Sequence, residues 1–126
     1  MIVDTSAIVA AIANEPDSAR YRNTILGAES PAMSSVTVLD TRIVLYSRYG
    51  AEAVAEFDEM LERFGFVVVP FDRELAHVAF DGFRRYGNGE GQPAQLNIVD
   101  CAAYALAKMR SEPLLDFANT DITSVF

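Results

Sequence analysis

Four aspartates stand out from the other acidic residues of the sequence because each adjoins apolar sequence. Asp4 and Asp116 directly follow short apolar runs, whereas Asp40 and Asp100 lie in segments with helical spacing. Ligands of open parallel sheets bind at the carboxyl ends of strands. Clustered carboxylate oxygens select hard cations such as Mg²⁺ or Mn²⁺. A pair of such ions suits in-line hydrolysis of a phosphodiester.

Asp40 gives the sharpest signal of the four. Apolar residues at positions 36, 39, 43 and 44 have the spacing of one helical face, and residue 40 belongs to the same stripe. The spacing therefore predicts a carboxylate that faces the core or a cleft. Because an isolated buried carboxylate is unfavourable, this position requires either a metal ion or a paired arginine.

The other three aspartates permit structural interpretations as well. Asp4 is equally suited to cap the helix that follows it, and the dipole of the last helix is sufficient to explain Asp100. Asp116 carries little information alone. Convergence of all four acids on one edge of a sheet would favour a metal site over these separate explanations.

The elements that position these acids alternate between short apolar strands and longer helices. The predicted strands cover residues 1–3, 32–34, 66–69, 113–115 and 122–125. The predicted helices cover residues 7–13, 16–26, 36–49, 51–64, 72–86 and 96–110. Residues 66–69, F-V-V-V, form the clearest strand and are apolar on both faces, as in a buried parallel strand. This alternation predicts an α/β sandwich with a parallel sheet.

Length and composition narrow the class of protein. The chain of 126 residues, 51% of them hydrophobic, predicts one folded domain, residues 1–126. A net charge of −8 disfavours broad electrostatic binding to nucleic acid, although carboxylates that hold cations would offset part of it. One cysteine, no basic leader and no apolar run of membrane length predict a cytoplasmic protein without a membrane partner.

Several motifs in a fixed order resemble those of PIN-domain ribonucleases, specifically the VapC-type toxins of bacterial toxin–antitoxin pairs. The similarity covers nearly the whole chain. The motifs are M-I-V-D-T-S-A-I-V-A, V-T-V-L-D-T-R-I-V-L, V-V-V-P-F-D-R-E-L-A, F-R-R-Y-G-N-G, L-N-I-V-D-C-A-A-Y-A-L-A-K and P-L-L-D-F-A-N-T-D-I. Together they are more specific than any one of them.

The resemblance implies a three-layer α/β/α sandwich with a central, mainly parallel sheet. It implies an endoribonuclease that depends on Mg²⁺ or Mn²⁺, acts on RNA and binds a cognate VapB-type antitoxin, with a homodimer as the expected assembly. By position, the catalytic and metal-binding acids are Asp4, Asp40, Asp100 and Asp116. The supporting residues are Thr5, Ser6 and Asp121.

Two departures from the family pattern lead to an alternative hypothesis. The family usually has Glu at the position of Asp40, and it usually has a short Gly-containing loop where Leu115 here runs directly into Asp116. A protein of the same fold that mainly binds its antitoxin, with weak or no nuclease activity, is therefore the second reading. A phosphohydrolase of another α/β family ranks last, because D-T-S lacks the second acid of a D-x-D motif.

Overall fold

The structure, a computed structural model, describes residues 1–87 and 97–116. The strands are β1 (Ile2–Val3), β2 (Ala32–Ser34), β3 (Val67–Val69) and β4 (Leu114–Leu115). The helices are α1 (Thr5–Ile12), α2 (Ser18–Leu26), α3 (Ser35–Tyr49), α4 (Ala51–Arg63), α5 (Arg73–Gly82) and α6 (Ile98–Arg110), and a π-helical turn, Phe83–Gly87, extends α5. In the described parts of the chain, no helix is long and apolar enough to cross a bilayer.

The four strands form one parallel sheet in the order β3-β2-β1-β4. From β1 the chain moves outward to β2 and then β3, and it returns to the other side of β1 as β4. The direction of winding therefore reverses between β1 and β4. In open α/β sheets this reversal opens a crevice at the carboxyl ends of the two strands, where ligands bind.

Helices cover both faces of the sheet, which makes three layers. Side chains alternate between the faces along each strand, so Val3 and Leu115 pack with α1 to α4. Their neighbours Ile2 and Leu114 pack with α5 and α6 on the opposite face. Two apolar cores thus fix the sheet from both sides, and the predicted α/β/α sandwich is confirmed.

Most element boundaries follow the signals in the sequence. Ser34 caps α3 by accepting a hydrogen bond from the Val36 amide, and Gly50 ends that helix at a φ of 90°, where L side chains are disfavoured. The second helix begins at Ser18 rather than residue 16. The predicted strand at 122–125 and most of the loop at 87–93 lie outside the described residues.

The F-V-V-V strand is not buried on both faces. Val67 and Val68 are 39% and 43% exposed. The reason is topological, because β3 pairs only with β2 and forms an edge of the sheet. An apolar run predicts a strand, but the strand's position within the sheet depends on the remaining strands.

The predicted apolar stripe of α3 is only partly correct, because two of its four residues are exposed. Leu39 and Ile43 are 60% and 55% exposed, whereas Thr37, Thr41 and Leu45 are fully buried. A threonine carries a methyl group that packs and a hydroxyl that can bond to the carbonyl one turn back, as Thr41 does with Thr37 at 2.7 Å. The threonine face therefore turns inward, and the more apolar stripe stays on the surface.

Candidate active site

The reversal point of the sheet brings two of the predicted acids together. β1 and β4 are adjacent and parallel, with Val3 opposite Leu115. The Asp4 amide donates a hydrogen bond to the Leu115 carbonyl at 3.0 Å. Asp4 and Asp116 each follow the last residue of their strand, so both lie at the same edge of the sheet, and the charge of Asp116 acts on Asp4.

Asp4 occupies the N-cap position of α1 but does not cap it. Its side chain accepts no hydrogen bond from the backbone of the first turn that would satisfy a cap. Ser6 Oγ donates weakly to Oδ2 at 3.4 Å. Within the described residues, the buried Oδ1 has no hydrogen-bond partner. The structural explanation of Asp4 as a helix cap therefore fails.

The environment of Asp4 opposes its negative charge. Burial, and next the nearby charge of Asp100, raise the pKa of Asp4 from 3.8 to about 6, and Asp116 adds to the rise. Hydrogen bonds from the Thr5 amide and the Ser6 hydroxyl lower the pKa only in part. A buried carboxylate with one unsatisfied oxygen and other acids nearby is a group that a bound cation would stabilise.

Asp40 is held from α1. Thr5 Oγ1 donates to Asp40 Oδ2 at 2.8 Å. Thr41 Oγ1 lies 3.0 Å from Thr5 Oγ1 and 2.7 Å from the Thr37 carbonyl oxygen, so its single proton is shared between two acceptors. These contacts fix the half-buried Asp40 carboxylate where α3 meets α1. The sequence placed Asp40 on the correct side of the helix for a reason that holds in part, since Leu39 and Ile43 are exposed but Val44 is half-buried and lines the same cleft.

Asp100 caps α6 and also lies near the other acids. Its side chain accepts a hydrogen bond from the Asn97 amide at 3.2 Å, and Asn97 Oδ1 accepts from the Asp100 amide at 2.9 Å, which completes a capping box for α6. Burial raises the pKa of Asp100, as do the charges of Asp116 and Asp40, while the bond from Asn97 lowers it. Capping thus orients a carboxylate that still interacts with the other acids.

Asp4, Asp40 and Asp100 line one open cleft of about 470 Å³, together with Thr5 and Ser6. The structure therefore brings three predicted acids to a common surface, and Asp116 interacts electrostatically with two of them. Within residues 1–87 and 97–116, no three His, Cys, Asp or Glu side chains form a ready-made metal site. The predicted supporting acid, at position 121, lies outside the described residues.

Sequence reasoning missed several residues of the site, including Asn97, which orients Asp100. Thr41 supports the hydrogen bond between Thr5 and Asp40. Its spacing of four residues from Thr37 could have indicated a polar, inward-facing stripe on this helix. Arg48 and Tyr49 also line the cleft. Helical spacing from Asp40 does not predict this, because position 49 is about half a turn away from position 40 around the helix.

Comparisons with known proteins agree with this architecture. The PIN domain family matches residues 1–125. Ribonuclease VapC28 from Mycobacterium tuberculosis is 40% identical and aligns with 97% of this chain and 95% of its own length. Ribonuclease VapC from Mycolicibacterium smegmatis is 38% identical over 99% of both chains.

Solved structures show the same fold at lower identity. The Mycobacterium tuberculosis toxin VapC20, described as cleaving the sarcin–ricin loop, superposes with a TM-score of 0.77 at 15% identity over 98% of this chain and 97% of its own. A toxin–antitoxin complex from Klebsiella pneumoniae gives 0.69 at 14% identity, with 98% and 97% coverage.

A parallel sheet with helices on both faces and carboxylates at its reversal point defines the class of open α/β proteins, whose ligands bind at the carboxyl ends of the strands. Within that class, the chain belongs to the PIN domain family, with curated VapC ribonucleases among its relatives.

Proposed function

We propose that this chain is a metal-dependent endoribonuclease toxin of a type II toxin–antitoxin pair, which hydrolyses RNA phosphodiester bonds. The observation that carries the proposal is the buried Oδ1 of Asp4, which has no hydrogen-bond partner within the described residues and lies where the sheet reverses. The names of its curated relatives, which are VapC ribonucleases at 36–40% identity, support the activity.

Asp4, Asp40, Asp100 and Asp116 are the proposed catalytic and metal-binding residues, and Mg²⁺ or Mn²⁺ is the proposed cofactor. An all-oxygen donor set suits these hard cations. Mg²⁺ keeps several of its waters and binds through one or two carboxylates plus substrate phosphates. Among the described residues, the acids share a cleft without forming a closed cage. Such an arrangement fits this ion better than it fits a structural metal.

The bound ion would supply charge neutralisation and water activation at the phosphate. The residues of the chain do the positioning. Thr5 holds the Asp40 carboxylate, and the capping box with Asn97 orients Asp100. Burial of Asp4 excludes part of the solvent from the site and strengthens its attraction for a cation.

The proposed partners are a cognate VapB-type antitoxin, an RNA substrate and a second copy of the chain, in the cytoplasm, with residues 1–126 acting as one PIN-like domain. The negative cleft and the net charge of −8 favour a basic antitoxin arm. The Klebsiella relative in fold is described as a toxin–antitoxin complex. Exposed Leu39, Ile43 and Tyr46 form a stripe on α3 suited to self-association.

RNA cleavage by the purified, antitoxin-free chain tests the proposal. We expect cleavage with Mg²⁺ or Mn²⁺, none with EDTA, and none from Asp4→Asn prepared in parallel, which controls for contaminating nuclease. Cleavage that persists in Asp4→Asn would refute the site. If neither protein cleaves transfer or ribosomal RNA, the result favours the alternative hypothesis of an antitoxin-binding protein, and the short Asp40 side chain and the missing loop before Asp116 become the explanations to examine.

A further inference from the structure

The cleft that holds the acids continues beyond them to the end of α3. Asp4, Asp40 and Asp100 line this cleft, and so do Arg48 and Tyr49 at the C-terminal end of α3. Asp40 and Arg48 are eight residues apart on one helix, which corresponds to about 12 Å or roughly two turns. Because both residues lie on α3, the helix holds Asp40 and Arg48 at a fixed spacing.

Arg48 differs in its contacts from most arginines of the described chain. Arg42, Arg63 and Arg84 each pair with an aspartate or glutamate. Within residues 1–87 and 97–116, no carboxylate forms an ion pair with Arg48, although it is the one cationic side chain lining a cleft rich in acids. The guanidinium is exposed and available to a ligand that enters the cleft.

Tyr49 adds a second recognition chemistry beside this guanidinium. Its side chain is 49% exposed although it is aromatic. Exposed tyrosine rings stack on the bases of single-stranded RNA, whereas duplex RNA keeps its bases stacked on one another. A guanidinium binds a phosphate through two parallel hydrogen bonds. Arg48 and Tyr49 therefore match the phosphate and the base of one unpaired nucleotide.

We propose that Arg48 and Tyr49 form a subsite for a nucleotide that flanks the scissile bond in single-stranded RNA. Arg48 binds its phosphate, and Tyr49 stacks on its base. Binding at this subsite positions the RNA strand over the acids. The positive charge of Arg48 also reduces the repulsion between the acidic cleft and the anionic RNA. This inference rests on the proposed function, since it takes RNA as the substrate of the same cleft.

The affinity of short fluorescein-labelled single-stranded RNA of mixed sequence tests the subsite. Binding is measured by fluorescence anisotropy in the Asp4→Asn background, with Mg²⁺, at several salt concentrations between about 50 and 200 mM. We expect Arg48→Gln to weaken binding about tenfold, the loss typical of one charged hydrogen-bonding partner. We expect the slope of log affinity against log salt to become shallower by about 0.7, the value for one phosphate contact in a single strand.

Matched variants separate a specific contact from a change in net charge or folding. Arg73→Gln removes an exposed arginine outside the cleft and is expected to leave the salt slope unchanged. Arg48→Lys keeps the charge and is expected to restore the slope. Tyr49→Phe keeps the ring and the affinity, whereas Tyr49→Leu loses about tenfold.

The outcomes distinguish the subsite from the function on which it rests. If the wild-type chain cleaves RNA but Arg48→Gln and Arg73→Gln weaken binding equally, the subsite is refuted and the nuclease stands. If KM for cleavage rises in Arg48→Gln while kcat is kept, the subsite is supported. If the wild-type chain neither binds nor cleaves RNA, the proposed function fails and the subsite fails with it.

Discussion

Replacing Asp4 with asparagine is expected to stabilise the metal-free protein at neutral pH while it abolishes cleavage. The fold keeps the Asp4 carboxylate from solvent beside two other acids, which raises its pKa from 3.8 to about 6. At about 1.4 kcal/mol per pKa unit, this rise corresponds to a destabilisation by the ionised form of up to about 3 kcal/mol. Asparagine is neutral and nearly the same size, so it removes that penalty.

The pH dependence follows from the direction of the change in pKa. Because the folded chain binds the Asp4 proton more tightly than the unfolded chain, wild-type stability falls as pH rises from about 4 to about 6. The advantage of Asp4→Asn is therefore largest above about pH 7 and mostly gone near pH 4. Urea denaturation followed by far-UV circular dichroism, with EDTA present, measures the stability of the wild type and of Asp4→Asn at each pH.

Glu56→Gln is the control for net charge, since this glutamate is exposed on α4, and we expect a change within about 0.5 kcal/mol. Saturating Mn²⁺ is expected to make the wild type more stable than Asp4→Asn, because the ion stabilises only the protein that binds it. The reasoning is wrong if Asp4→Asn is no more stable than wild type near pH 7.5, or if its advantage persists undiminished near pH 4.

Three further substitutions probe the support of the site and the core. Thr5→Val removes the hydrogen bond to Asp40 and the contact with Thr41. We expect the free energy of unfolding, measured by urea denaturation, to fall by about 1–2 kcal/mol and Mn²⁺ binding, measured by calorimetry, to weaken. The control Thr5→Ser keeps the hydroxyl and should remain close to wild type. Asp40→Glu is expected to give no gain in cleavage, because the aspartate is already held at 2.8 Å; a large gain would instead show that the shorter acid impairs the enzyme. Gly82→Ala places a methyl group against the Tyr104 ring and should cost about 1–3 kcal/mol, measured by thermal denaturation; an unchanged Tm would show that the ring moves freely.

Local sequence signals were sufficient for the kind and order of most elements. Short apolar runs marked all four described strands, and glycines 50 and 65 marked the ends of α3 and α4, where their positive φ angles suit no other residue well. The aspartates at positions 4 and 116 could be selected because each ends such a run. These features depend on a few neighbouring residues, so they can be read without knowing the rest of the chain.

The order of the strands was beyond the reach of such local signals. Placing β4 beside β1 brings together two aspartates that are 112 positions apart, and placing β3 at the edge exposes Val67 and Val68. Strand order is decided by how all the helices share the two faces of the sheet. No window of sequence contains that information.

The inward face of α3 was decided by its neighbours as well. Counting apolar residues selected the stripe at 39 and 43, whereas packing buried Thr37 and Thr41, and the Thr41 hydroxyl bonds to Thr5 on α1 and to the Thr37 carbonyl. The same packing placed Arg48 on the wall of the cleft that the acids also line. The sequence by itself determined which residues carry the carboxylates that could bind a cation. Only the tertiary structure decided which of them share a cleft, because that depends on contacts between residues distant along the chain.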